Sequence, residues 1–349
     1  MENRKIINAN NLVDNFNWCT GKGKNIMAMV KADAYGHGYK AIVSSLKNVC
    51  KYFGVANEIE ALKLKRILTF KHIVLVVGKS NNYEKLIKHG IHITVDNLLE
   101  IKRIEAVCKK VDTCANIHIA INTGMNRIGI KSLGEFKQML SYIYESRYIN
   151  LKGVFTHLYN ADCKQNDAQV QLDKFSEYIR LVNSKKILIH VGGSYALLHK
   201  LPCYINMVRC GLFIYGYGNK CLKPVMSIES KIIKLTNCKK MEKVGYGNFI
   251  LNNDTKVALV PMGYADGIPR CIGKDGYVIV NGKKCKILGN ICMDMFMIDV
   301  TNASASVNSK VVVFDNATTF GKYAKMSPYE VLTNFSKART KWLRNGSRR

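Results

Sequence analysis

Lys31 stands where an apolar run stops. The stretch Met29-Val30-Lys31-Ala32-Asp33-Ala34-Tyr35-Gly36-His37-Gly38 follows the strand-like NIMAMV (25–30) with one amine, then turns on two glycines. A lysine in a mostly apolar pocket has its ammonium form disfavoured, so its amine becomes a nucleophile toward an aldehyde. Three further runs end in groups of chemical use: His157 closes one, Gly192-Gly193-Ser194 follows the next, and Arg209-Cys210-Gly211 ends the last. Glycines and a serine hydroxyl in such a place can offer donors to an anion. An activated amine beside a phosphate site suggests pyridoxal 5′-phosphate held as a Schiff base. The pair His89 and His92 has a metal-like spacing but falls between a helix end and a strand, and GKGK (21–24) lacks the spacing of a phosphate-binding loop. No metal is expected.

The elements that position these residues follow from the hydrophobic pattern. Strand-like runs occur at 25–30, 52–56, 73–77, 91–95, 116–121, 152–157, 187–191 and 206–210, separated by helix-like segments such as Tyr39–Cys50, Ala56–Leu68, Asn97–Cys108 and Asp167–Val182. Ile59, Leu62 and Ile67, and then Leu98, Ile101 and Ile104, recur at helical steps. Eight strands alternating with helices predict an α/β fold, a (β/α)8 TIM barrel, in which chemistry sits at the carboxyl ends of the strands. A doubly wound sheet is the alternative, with fewer strands as a rule. After Leu222 strands succeed one another through glycine turns, and only MSPYEVLTNFSKA regains helical spacing. This predicts a barrel domain over 1–222 and a mainly β C-terminal domain over 223–349, with the end TKWLRNGSRR as a solvated tail.

Composition narrows the function classes. The net charge of +28 raises nucleic-acid binding. However, Lys and Arg are spread along the whole chain and no recognition motif interrupts them, so no nucleic-acid partner is expected; such a surface would attract anionic small molecules. The twelve cysteines form no C-x-x-C pair, and no segment has the length or polarity of a signal peptide or a membrane span. A reduced, cytoplasmic protein without a membrane partner is expected.

The segment MVKADAYGHG resembles the cofactor-binding signature of the alanine racemase family. The likeness continues in order through FGVANEIEA (53–61), NTGMNRIG (122–129), THLYNAD (156–162), NMVRCGLFIYG (206–216), VGYGNF (244–249), MGYADGIPR (262–270), GNICMDMFMIDV (289–300) and YEVLTN (329–334). The resemblance implies an enzyme that interconverts L- and D-alanine through an external aldimine of pyridoxal 5′-phosphate, and so supplies D-alanine for peptidoglycan. It implies that Lys31 holds the cofactor and is one of two bases, and that Tyr246 of a partner subunit is the other. Racemisation removes the α-proton from one face and returns it on the other, so two bases must oppose each other. Carried over residue by residue, Tyr35, Ser194, Gly211, Leu212 and Tyr329 lie around the phosphate. Arg209 bonds the pyridine nitrogen, it and His157 lie near the tyrosine base, with His157 counted among the cofactor-binding residues, and Arg127 and the Met293 backbone N–H meet the substrate carboxylate. Tyr264 lines the way in. A homodimer with shared active sites follows, acting on a small-molecule substrate.

Two departures stand out. Family members often carry a lysine, which becomes carboxylated, where this chain has Ala120, and Asn122 replaces an Asp; Arg127 is then held otherwise, by an anion or a water. Gly193 stands where the family often has Asn. Rival readings are a racemase of serine or of a broader set of small amino acids, which Tyr329 at the pocket rim disfavours, and a non-catalytic pyridoxal-phosphate-binding protein, which the β domain disfavours.

Overall fold

The computed structural model describes residues 3–162, 165–183, 186–274, 276–335 and 341–345. Contacts divide the chain into two units, one of residues 13–31 and 42–214, the other of residues 1–12, 32–41 and 215–349. Strand β1 (Arg4–Asn8) belongs to the second unit. In the first, eight parallel strands close a barrel in chain order: β2 (Asn25–Met29), β3 (Tyr52–Val55), β4 (Ile73–Val76), β5 (His92–Val95), β6 (Ala115–Ala120), β7 (Ile149–His157), β8 (Leu188–Gly192) and β9 (Met207–Cys210). Pairing of Asn25 with Met207 through Ala28 with Cys210 shuts it. The strands are buried nearly throughout, as parallel strands covered on both faces must be, which is why they read as unbroken apolar runs. All eight expected strands are present, the sixth starting three residues early at Ile149.

The helices between them cover Glu58–Lys65, Leu98–Val111 and Gln165–Ile179 where helical spacing was read. Asn57 and Asn97 each cap a helix by accepting from the backbone N–H three residues on. Ile101 and Ile104 face the core as expected. The stripe of Ile59, Leu62 and Ile67 is corrected: Ile59 is 63% exposed and the buried face is Ala61 and Leu64, two residues out of phase.

The second unit carries a sheet of nine strands. Besides β1 they are β10 (Met226–Lys231), β11 (Lys234–Cys238), β14 (Thr255–Val260), β15 (Tyr277–Val280), β16 (Lys283–Leu288), β17 (Phe296–Asp299), β18 (Lys310–Phe314) and β19 (Lys341–Asn345); β12 (Lys243–Val244) and β13 (Phe249–Ile250) form a separate hairpin. The tail expected to be solvated instead contributes β19, which runs parallel to β1 in register from Arg4–Lys341 to Asn8–Asn345. Backbone pairing explains it, since β1 without a neighbour on that side would expose a row of unpaired N–H and C=O groups. The tail's last residues, 346–349, and Cys163 lie outside the described residues.

Residues 32–35 of this unit form one turn of left-handed backbone, with φ of 52°, 52°, 54° and 54°. Each non-glycine residue there costs about 1–2 kcal/mol. The turn is held by Gly36 N–H to Ala32 O at 3.0 Å, Gly38 N–H to Asp33 O at 2.8 Å, and Tyr39 N–H to the Asp33 carboxylate at 2.9 Å. Strain of this kind persists where surroundings over-determine it, and it gathers at functional centres.

Candidate functional site

Within the barrel unit, Val30 N–H donates to Gly54 O at 2.9 Å, so Lys31 is the first residue beyond the pairing of β2. Burial and then the charges of Arg127 and Arg209 pull its ammonium below the usual lysine value, with Glu60 opposing them. Desolvation and two guanidiniums thus favour the free amine, the form that attacks carbonyl carbon.

Arg209, at the end of β9, is buried and spans three strands. Its guanidinium donates to Thr156 O at 2.9 Å and to His190 Nδ1 at 2.8 Å, reaches His157 Nδ1 at 3.4 Å, and lies 4.4 Å from the centre of the Phe155 ring. Behind it runs a ladder of buried imidazoles: His190 Nε2 to His118 Nδ1 at 2.8 Å, and His118 Nε2 to His92 Nδ1 at 2.9 Å. A guanidinium can only donate, so His190 accepts at Nδ1 and carries its proton on Nε2. The same logic passes to His118 and then to His92, and all three rings are neutral. Burial, the largest cause at each, drives all three well below the usual histidine value, His92 to about 3. His157 falls to about 3 for the same reason, with Arg209, Arg127 and Lys31 adding to it. Two glycines make this packing possible: a Cβ on Gly192 would lie 2.0 Å from His157 Nδ1 and 2.3 Å from an Arg209 nitrogen, and one on Gly153 would lie 2.3 Å from His118 Nδ1.

Ser194, in the turn after β8, accepts Gly211 N–H at 3.0 Å and Phe213 N–H at 3.4 Å on its hydroxyl oxygen. With its lone pairs so engaged, the hydroxyl hydrogen is the group it can offer a ligand. Arg127 is exposed on a loop closed by the Ile121–Ile130 bridge and by Asp96, which accepts Gly129 N–H at 3.1 Å. Asn122 staples that loop, accepting Gly124 N–H at 3.0 Å and Asn126 N–H at 3.1 Å. The amide therefore serves as a carboxylate would in shaping the turn, without its charge. Ala120 is buried at the end of β6, and among the described residues Arg127 makes no ion pair.

The second unit holds the remaining residues. Tyr35 packs against Tyr215 with ring centres 5.0 Å apart and against Tyr329 at 6.0 Å. Tyr246 tips the β12–β13 hairpin and is 67% exposed. Beneath it, Val244, Leu251, Val257 and Leu288 form a small core with Phe249 and Met297. Three loops meet there: Asn290 N–H donates to Tyr246 O at 3.4 Å, Tyr264 N–H to Cys292 O at 3.0 Å, and Ala265 N–H to Met293 O at 3.1 Å. Only glycine fits at 263, where a Cβ would come within 2.2 Å of Met293 O, and Asp266 braces that loop by accepting Gly263 N–H at 2.9 Å. Tyr246, Tyr264 and Met293 are thereby gathered by backbone bonds on one unit. His190, His118 and His92 were not foreseen as part of the site; the signal for them was Gly153, a strand-interior glycine between two histidine-bearing strands.

Barrel and β domain both agree with known proteins. The family model described as alanine racemase, N-terminal domain, matches residues 7–219, and that of the alanine racemase C-terminal domain matches 225–342. The alanine racemase of Borreliella burgdorferi (strain ZS7) is 34% identical over 353 residues, covering 95% of this chain and 94% of its own. That of Fusobacterium nucleatum is 35% identical over 289 residues and 79% of each chain. The solved alanine racemase of Clostridium difficile 630 superposes with a TM-score of 0.89 at 28% identity, covering 99% of this chain and 96% of that one.

Proposed function

The chain belongs to the alanine racemase family, and from that premise we propose how its own residues carry out the reaction. It is an isomerase that interconverts L- and D-alanine with pyridoxal 5′-phosphate as cofactor. The residues suit an anionic aldehyde: the guanidiniums of Arg127 and Arg209 act on the Lys31 amine within the barrel unit, and Ser194 is left with a hydroxyl to donate. When bound, the cofactor delocalises the negative charge left on the α-carbon as its proton departs.

Lys31 would anchor it through Nζ, Arg209 would meet the pyridine nitrogen, and Tyr35, Ser194, Gly211, Leu212 and Tyr329 would hold the phosphate, Gly211 acting through the Ser194 hydroxyl its N–H supports. Arg209 stays protonated at neutral pH although burial lowers it, and its neutral histidine ladder has no proton to lend. Arg209 would therefore offer the pyridine nitrogen a hydrogen bond while keeping its own proton, which would limit charge spreading onto the ring and disfavour side reactions. Arg127 and the Met293 backbone N–H would bind the substrate carboxylate, with Tyr264 at the approach. Lys31 Nζ moves the α-proton on one face, and the phenol of Tyr246 from a second copy of the chain moves it on the other, with neutral His157 beside the tyrosine. The exposure of Tyr246 and Met293 supports a homodimer with shared sites. In keeping with the family's general role, the product serves cell-wall peptidoglycan. A cytoplasmic setting fits the eleven free thiols among the described residues, where no helix is long and apolar enough to cross a membrane.

The observation that carries this reading is Lys31 at the barrel mouth, its amine freed by burial and flanking guanidiniums. Borohydride reduction of the holoenzyme followed by peptide mapping is expected to find the cofactor on Lys31, and a label on any other residue overturns the assignment. Loss of optical activity with enantiopure L-alanine but not L-serine fixes the substrate.

A further inference from the structure

Lys5 is a fully buried lysine on β1, far from the catalytic amine in sequence and unused by the mechanism. A buried ammonium is tolerated only where polar groups replace its water. Here Nζ donates to Gly36 O at 2.9 Å and, by a short bond, to Phe335 O. Gly36 directly follows the left-handed turn that ends in Tyr35. Phe335 directly follows the helix Pro328–Asn334, which carries Tyr329 near its start. The last carbonyls of a helix have no partner within it and sit at the negative end of its dipole, so a cation there is favoured. Burial lowers the Lys5 ammonium to about 8, with Asp33 holding it up, so it is charged at neutral pH. His37, stacked on Tyr215 at 4.4 Å between ring centres, is kept neutral by burial and by this same charge.

We propose that Lys5 is a positioning residue for the cofactor phosphate: one ammonium ties the Tyr35 turn to the Tyr329 helix and fixes the two phenols as a pair. The inference rests on the reading above that Tyr35 and Tyr329 meet the phosphate. Without the cation, two carbonyls that face one site would lose their shared donor and repel each other, and the rings, whose centres stand 6.0 Å apart, would lose their register.

The test separates the phosphate from the rest of the cofactor. Holoenzymes of the wild type, Lys5→Met, Lys5→Arg, Tyr35→Phe and Tyr329→Phe are dialysed against graded pyridoxal phosphate or pyridoxal, and bound chromophore is read by absorbance. Lys5→Met, which fills the same space without charge, should weaken pyridoxal phosphate by about tenfold and leave pyridoxal unchanged, with Lys5→Arg restoring part of the preference. Its thermal midpoint should change little, because removing a buried charge offsets the two hydrogen bonds lost; a general loss of structure would weaken both ligands together and would overturn the proposal. If both Phe variants lose the preference and Lys5→Met keeps it, the Lys5 role falls alone. If all variants keep it, the tyrosines do not hold the phosphate and both readings fall. Should Lys5→Met not fold, 15N-lysine spectra of the wild type decide: a Lys5 Nζ shift on adding pyridoxal phosphate but not pyridoxal supports the role, and no shift rejects it.

Discussion

Burial outweighs every neighbouring group at five imidazoles, those of His37, His92, His118, His157 and His190, and holds each below the usual histidine value. The consequence for stability has a definite sign. An unfolded histidine takes up a proton as pH drops through about 6.5, whereas His37, His92 and His157 do so in the native chain only near 3. Acid therefore favours the unfolded chain from about pH 6.5 downward, by up to ~1.4 kcal/mol per pH unit for each such residue. Carboxylates titrate lower, so the interval from about 6.5 to 5 belongs to the histidines. Urea denaturation of the holoenzyme at pH 7.5 and pH 5.5 should show a clear drop in midpoint at the lower pH. Equal midpoints would mean that the ladder is protonated in the native state, and the tautomers assigned behind Arg209 would be wrong.

Among the elements, the turn at 32–35 is the one that local preference opposes. Alanine gains nothing from left-handed backbone, yet Ala32 and Ala34 both adopt it. Ala32→Gly should relieve about 1 kcal/mol of that strain, offset in part by the extra freedom glycine gives the unfolded chain; a rise in the urea midpoint checks it, and a fall would show that the turn is not strained at 32. Nothing in AYGHG beyond its glycines announces this turn, because strain is imposed by distant contacts and not by propensity. The barrel strands were readable because eight apolar runs carry their burial in their composition. The Glu58–Lys65 helix was placed but its buried face was not, since Ile59, Ala61, Leu62 and Leu64 offer more than one apolar stripe and only packing selects it. Strand β19 was missed for a related reason: KWLRN has no alternation strong enough to signal a strand, and its partner β1 lies at the other end of the sequence. The site divides along the same line. Lys31 and Tyr246 lie in motifs, while Lys5 and the histidine ladder become visible only once strands distant in sequence are set side by side.

At the scale of the whole molecule, racemisation demands opposed bases, and Tyr246, proposed above as the second, faces outward. Tyr246 is 67% exposed, and the hairpin and loops tied to it expose Met241 (67%), Ile250 (41%), Met293 (55%) and Met295 (38%). Large apolar side chains gathered on one surface mark an interaction face, and a second copy of the chain is the partner that would make them useful. In a two-fold dimer each site would take Lys31 from one chain and Tyr246 from the other. A Lys31→Ala chain and a Tyr246→Phe chain are then each inactive or nearly so alone, but a heterodimer of the two contains one site with both bases intact and one with neither. After complete exchange of equal amounts, about half of the dimers are mixed and half of their sites are whole, so activity should recover to about a quarter of wild type. Chain exchange is verified by tagging each variant differently and isolating the mixed species. Recovery near that fraction requires bases drawn from two chains. No recovery in confirmed heterodimers would place Lys31 and Tyr246 of one chain in the same site, and the exposed tyrosine would then need another explanation.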